Sequence, residues 1–290
     1  MIRAGTTARL TRSLRVPLIH MINKDVHRFL CLGLAGFVAK LHLRRFVLWS
    51  RPVTYGAQRG RATMAISFKG AHFPPDIVLM GVRWYVAYPL SYRHVEELLE
   101  ERGVPIDHAT IQRWVVKYSP LLEEAFHRRK RSVWVSWRMD ETYIKVKGQW
   151  RYLYRAVDKH GQTIDFLLTE QRDEEAALRF LKKAIRRHSV PEKITIDGSA
   201  ANEAAIKRYN EEHGTAIAIR KIKYLNNIVE QDHRGVKRVT RPMLGFKSFA
   251  AAQDTLVGIE LMHMIKKKQM VLEAGDEGRT AAELFYSLAA

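Results

Sequence analysis

Three carboxylates stand out by their surroundings: Asp140 in "WRMDETY", Asp197 in "TIDGSA" and Glu230 in "NNIVEQDHRGVKR". The first two follow short β-branched or aromatic runs, and each is expected to close a buried strand. Glu230 falls in a stretch of helical spacing, inside a row of cations. At 100° per residue, Glu230, Arg234, Lys237 and Arg241 share a face about 60° wide, while Val229, Val236 and Val239 lie on another side. Carboxylates at two strand ends, joined by a third from a neighbouring helix, repel one another unless cations neutralise them. Two Mg²⁺ ions roughly 3.5–4 Å apart suit such a set and support in-line attack of water or a 3′-hydroxyl on a phosphodiester. Mg²⁺ needs few carboxylates and completes its octahedron with substrate oxygens; Mn²⁺ is expected to substitute. The cations on the Glu230 face would then hold phosphates flanking the scissile bond. Each acid also has a plainer alternative. Asp140 could end a strand at a turn, Asp197 before Gly198 could make an Asx-turn, and the Glu230 helix could be a solvated charged face. Asp232 points near the valine stripe and is expected to make a structural hydrogen bond. Gly235 costs the helix about 1 kcal/mol relative to Ala, so packing must support it.

The elements that must position these groups follow from periodicity. From Val133 to Asp140 the pattern has period two: Val133, Val135, Trp137 and Met139 face one way, and Trp134, Ser136, Arg138 and Asp140 the other. Strands are predicted at Thr142–Val146, Trp150–Val157 and Thr163–Thr169, with Lys147-Gly148 and His160-Gly161 as turns. An amphipathic helix, "DEEAALRFLKKAIRRH", carries acids in its first turn and bases in its last. The strand "KITID", a helix near Asn202–Glu211 and the Glu230 helix complete the series. This order predicts an α/β, RNase H-like catalytic domain over 129–250.

Ahead of it the spacing is helical. A helix from Pro75 to Tyr88 stops at Pro89, Ser91 caps a second that ends near Gly103, and Asp107 caps a third reaching Tyr118. Two short helices across a brief turn form a helix-turn-helix pattern. An all-α DNA-binding domain is therefore expected over 64–128, presenting His108, Thr110, Gln112, Arg113 and Lys117 to a major groove. Residues 251–290 form a C-terminal helical segment.

The charge agrees with a polyanionic partner. The chain has 49 Lys+Arg against 30 Asp+Glu and a net charge of +19, which favours nucleic acid over an acidic membrane surface. Residues 1–63 carry 12 Lys+Arg and the single acid Asp25. That segment reads as a nucleic-acid-binding arm, a targeting peptide, or an extension upstream of a true start at Met64. The one cysteine, Cys31, excludes an intramolecular disulfide and fits a reducing cytoplasm. The apolar run Phe29–Ala39 is too short to span a bilayer comfortably, so no membrane association is expected.

The stretches "FKGAHFPPDIVLMGVRWYVAYPLSYRHVEELLEERGVPIDHATIQRWVVKY", "WRMDETYIKVKGQWRYLYRAVDKHGQTIDFLLTEQRD" and "RKIKYLNNIVEQDHRGVKRVTRPMLGFKSF" resemble DDE transposases of insertion sequence family six, which form cointegrates. The resemblance covers about Ser67 to Lys268. It implies a helix-turn-helix recognising terminal inverted repeats of double-stranded DNA, target DNA as a second substrate, and a homo-oligomer on DNA. By motif it matches Asp140, Asp197 and Glu230 to the family's carboxylates, and Lys237 to the basic residue seven positions after the Glu. "DGSAANEAAI" departs from the usual Asp-Lys-Ala opening of that region. Two alternatives accompany the transposase reading: a catalytically decayed repressor of its own element, and an RNase H-like nuclease that cuts without joining.

Overall fold

Hydrophobic spacing changes from helical to alternating near residue 130, and the structure changes with it. The computed structural model describes residues 66–289; the basic segment 1–63 and the start at Met64 lie outside the described residues. Three helices come first: α1 (Pro75–Ala87), α2 (Tyr92–Glu100) and α3 (His108–Arg129). Ser91 Oγ accepts the His94 N–H while the His94 ring accepts the Ser91 N–H, a capping box with histidine in the usual Glu position. Asp107 caps α3 by accepting the Thr110 N–H. Val95, Leu99, Ile111, Trp114 and Val115 are buried, and Leu98 only half so. Helix α3 does not stop at Tyr118. It continues through Pro120 to Arg129, so His127, Arg128 and Arg129 form its last turn, where cations suit the helix dipole.

The remaining elements are β1 (Ser136–Val146), β2 (Gln149–Asp158), β3 (Thr163–Thr169), α4 (Glu174–His188), β4 (Lys193–Ile196), α5 (Ala200–His213), β5 (Ala218–Lys221), α6 (Lys223–Thr240), α7 (Phe249–Lys266) and α8 (Ala281–Tyr286). The sheet order is β3-β2-β1-β4-β5, with β1, β2 and β3 antiparallel and β4 and β5 parallel to β1. This is the RNase H-like arrangement expected. Lys147 and Gly148 both have positive φ, 50° and 77°, and close the β1–β2 hairpin as a two-residue turn whose twist matches its strands. Two details differ from the sequence pattern. Strand β1 begins at Ser136 and runs unbroken through Asp140, because β2 pairs along it from Trp137 to Val146. Strand β5 was not anticipated: it is four residues long and none of them is buried.

One sheet face packs Trp137, Met139, Tyr154, Ala156, Ile194 and Ile196 against α4 and α5. Burying an aliphatic side chain of this kind stabilises the fold by roughly 1.5–3 kcal/mol. Helices α6 and α7 cover the other face, where the contacts are partly ionic. Arg155 on β2 is fully buried and donates to Glu260 Oε1 at 2.6 Å and to Asp232 Oδ2 at 2.7 Å. On its far side α7 meets the first helices so closely that a Cβ on Gly258 would lie 2.6 Å from Ser119 Oγ and 2.7 Å from Val86 Cγ1. Helix α7 thus ties α1 and α3 to the sheet.

A second ionic joint links α3 to α4. Glu123 on α3 lies 2.8 Å from His127 Nε2 and 3.2 Å from Arg187 Nη1. Burial alone would raise its carboxyl, but His127 and Arg187 outweigh it and bring it down to about 2. A carboxyl lowered in the folded state adds stability above its unfolded value, about 4.3, and loses it as pH falls toward 2. Unfolding midpoints measured from pH 5 to pH 2.5 should therefore fall steeply, and Glu123→Gln should flatten that slope while lowering stability at pH 7. An unchanged slope would remove this joint from the acid response.

Candidate active site

The position of Asp140 follows from strand lengths. Strand β4 pairs with β1 over Ser136–Arg138, with Arg138 opposite Thr195. Continuing that register by two residues sets Asp140 beside Asp197, the first residue past β4, on strands about 4.8 Å apart. Asp140 is therefore not at the end of its own strand, as its sequence setting suggested. It sits where the neighbouring strand ends. The chain leaves β4 through Gly198, at φ 102°, and Asp197 Oδ1 accepts the Ser199 N–H at 3.0 Å. The Asx-turn is thus present, and it orients a carboxylate that stays exposed.

Helix α6 carries Glu230 across β1. Asn226 Nδ2 donates to the Met139 carbonyl at 3.3 Å, and His233 Nδ1 lies 3.7 Å from Asp140 Oδ2. At 100° per residue, Asn226, Glu230, His233 and Lys237 fall within about 60°, so the two buried residues hold the Glu230 face over Met139 and Asp140. Val229, Val236 and Val239 are buried, while Glu230, Arg234 and Arg241 are exposed and Lys237 is half-buried. Burial, then the Glu141, Asp197 and Glu230 carboxylates, push the Asp140 carboxyl up to about 7. Burial and Arg241 lower the Lys237 amine, and Asp140 opposes them. Asp197 and Glu230 both bear on Asp140, with Lys237 at the margin of that acid.

Asp232 takes no part in that edge. It binds Arg155, His263 Nε2 at 2.8 Å and Lys267 Nζ at 2.6 Å, the structural role expected for it. Burial alone would raise its carboxyl, but Arg155 and His263 hold it well below the usual range. Gly235 finds its support here as well. A Cβ at that position would come 2.5 Å from His263 Cε1, so glycine admits the imidazole that Asp232 orients.

On α3, the candidate DNA-reading residues divide. Thr110 is committed to the Asp107 cap, with Oγ1 donating at 2.7 Å, and it accepts from Arg113 Nη2. His108 Nδ1 lies 3.1 Å from Glu96. Gln112, Arg113 and Lys117 are exposed.

Sequence reasoning missed several residues that shape the site. Periodicity places His233 three positions after Glu230 but cannot show that it is buried against Asp140. Burial, then Arg155 and Lys237, lower its imidazole to about 3, so it is neutral near pH 7. Among the described residues its Nε2 has no hydrogen-bond partner. On the opposite sheet face, Glu141 pairs with Arg172 and accepts from Asn202 Nδ2 at 3.1 Å. The adjacent acids of "MDET" thus point to opposite layers.

A divalent metal fits these residues. The donors are hard carboxylate oxygens, and burial together with the neighbouring carboxylates raises the Asp140 carboxyl, a cost that a bound cation would relieve. Among the described residues, no three His, Cys, Asp or Glu side chains are gathered closely enough to cage an ion on their own. Such openness suits Mg²⁺, which is usually held by one or two carboxylates together with waters and substrate phosphates.

Comparisons with known proteins bear on the same region. A family described as a DDE domain matches residues 134–269. The transposase for insertion sequence-like element IS431mec of Staphylococcus aureus (strain Mu50 / ATCC 700699) is 40% identical over 209 residues, covering 69% of this chain and 89% of that protein. The transposase for insertion sequence element IS257 in transposon Tn4003, also of Staphylococcus aureus, is 39% identical over the same shares. Among solved structures, the catalytic core domain of BIV integrase is 17% identical, covers 52% of this chain and 93% of that one, and gives a TM-score of 0.37.

The packing under α6 makes a test that does not depend on activity. Gly235→Ala should lower the melting temperature, although alanine favours an isolated helix by roughly 1 kcal/mol, because its methyl displaces His263. Arg155→Met should cost about 3–5 kcal/mol by leaving Glu260 buried without its cation, while Asp232 keeps Lys267. Thermal and urea unfolding of both variants measures this, and a stabilised Gly235→Ala would disprove the close approach.

Proposed function

This chain belongs to the transposases of insertion sequence family six, and we propose on that footing that Asp140, Asp197 and Glu230 are the carboxylates of its polynucleotidyl-transfer site. It is a DDE-type transposase with an RNase H-like α/β core. The observation that carries the assignment is the Asp140 carboxyl, crowded by Asp197 in register and by Glu230 from α6.

The family implies a divalent metal, which in this reading is Mg²⁺ with Mn²⁺ as a substitute, and which Asp140, Asp197 and Glu230 would hold together with substrate phosphates rather than as a closed cage. When bound, the ions supply Lewis-acid stabilisation of charge developing on the phosphodiester oxygens during in-line displacement. The protein's own groups do the rest. Asn226 and His233 fix α6 over β1, and neutral His233 leaves the charge of Asp140 available to a ligand. Lys237, Arg234 and Arg241 contact the DNA backbone beside the scissile bond and set its position.

The working division keeps residues 64–128 as the helix-turn-helix that reads terminal inverted repeats, 129–250 as the catalytic part and 251–290 as a helical segment. Gln112, Arg113 and Lys117 on α3 are the base- or phosphate-contacting residues of that unit, with His108 and Thr110 supporting its end. The partners are double-stranded repeat and target DNA and further copies of the chain. No helix among the described residues is long and apolar enough to cross a membrane, and the working location is the bacterial cytoplasm.

Joining of pre-cleaved repeat ends to a plasmid tests the reading. Asp140→Asn and Glu230→Gln should each reduce joining by roughly two to three orders of magnitude and keep repeat binding. Ca²⁺ should not replace Mg²⁺, because its larger and looser shell misplaces the attacking oxygen. Lys237→Ala should weaken binding and reduce the salt slope by about 1. Full joining by Asp140→Asn, or by the wild type in excess chelator, would defeat the assignment.

A further inference from the structure

Beyond Asp140 the edge of β1 is open. Strand β4 has ended, and the next contact on that side is the single bridge Val146–Phe246. A groove of about 600 Å³ lies along this edge, lined by Tyr143, Trp150, Lys237, Arg241 and Leu244. Lys237 belongs both to this groove and to the margin of the carboxylates. From Asp140 to Tyr143 is three residues of strand, roughly 10 Å, an odd step that turns Tyr143 to the Glu141 face, so the groove meets the carboxylate edge around the open side of β1 through Lys237.

The groove exposes what a soluble surface normally hides. Trp150 is 60% exposed, Tyr143 47% and Leu244 89%. The two rings form an edge-to-face pair with centroids 6.3 Å apart, and Lys145 Nζ lies 6.0 Å from the Trp150 ring. Leu244 is held at φ 55°, a region a non-glycine residue seldom adopts. Its loop is pinned by backbone bonds from Phe246 N to Lys145 O at 2.9 Å and from Lys147 N to Phe246 O at 2.7 Å. A strained, fully presented leucine thus faces a rigid aromatic platform, with cations around both.

We propose that this groove receives an unpaired nucleotide of the DNA end, its base stacked on the Trp150 ring with Tyr143 set edge-to-face beside it, and with Leu244 as the wedge that keeps it out of the duplex. The inference rests on the transposase reading and extends it. Aromatic faces accept any base, and a cationic groove follows the backbone that carries it; apolar wedges of this kind separate base steps. Charge complementarity and continuity with the carboxylate edge select a nucleotide as occupant.

The probe is a mixed-sequence duplex with a short unpaired tail carrying 2-aminopurine, compared with its blunt counterpart by anisotropy with the full chain. The wild type should prefer the tailed duplex by about tenfold and change the 2-aminopurine emission. Trp150→Ala should abolish both effects while binding the blunt duplex within about twofold of wild type, and Trp150→Phe should restore most of the preference. Leu244→Ala should reduce the emission change on a blunt duplex labelled at its terminal pair. Matching melting temperatures establish that the variants fold. Equal affinity of the wild type for tailed and blunt duplexes, or equal losses on both in Trp150→Ala, overturns the groove and leaves the transposase reading standing. Failure of the wild type to bind either duplex overturns both.

Discussion

A guanidinium buried at the centre of one sheet face governs how the candidate site is assembled. Arg155 is fully enclosed, and its partners Glu260 and Asp232 come from two different helices. Taking three such charges out of water costs several kcal/mol each, and close, well-directed bonds must recover that cost. The same requirement leaves little freedom in where α6 and α7 sit on β2. Because Asp140 is the β1 residue directly across from Arg155, the network that seats α6 also fixes the height of Glu230 over Asp140. A pair of leucines could have glued the helices down, but with less say over register.

The acids themselves are arranged by an interruption. Strand β4 is four residues long, and its early end exposes Asp140 on a strand that continues past it. This gives one half-buried carboxylate and one exposed one on adjacent strands, and the asymmetry appears in their settings. Asp140 feels burial and its neighbours, whereas Asp197 is held by a local turn. Glu230 approaches from the layer above with its cations facing solvent.

Much of this was legible in the sequence where local rules dominate. The capping residues Ser91 and Asp107, the Lys147-Gly148 turn, the valine stripe of α6 and the order of strands and helices all act through neighbours a few positions away. Features that depend on distant partners were not legible. Strand β5 has no alternation of its own and exists because β4 offers it an edge. Arg155 sits in "RYLYRAVD", where nothing local marks it as buried, and its partner Glu260 lies 105 residues later. Asp140 read as a strand terminus because its sequence neighbourhood could not show that the missing length belonged to β4. The buried state of His233 similarly depends on β1, not on its own helix.

Gly258 and Glu260 are two residues apart on α7, so at 100° per residue they project about 160° from one another. One side of the helix admits α1 and α3 at near-contact distance, and the other reaches Arg155 in the sheet. The separation between the amino-terminal helices and the carboxylate edge is therefore set by the thickness of a single helix. If residues 64–128 read DNA and the carboxylate edge cuts it, as proposed, such a spacer works as a ruler. It would fix, in base pairs, how far from the recognised sequence the strand is opened.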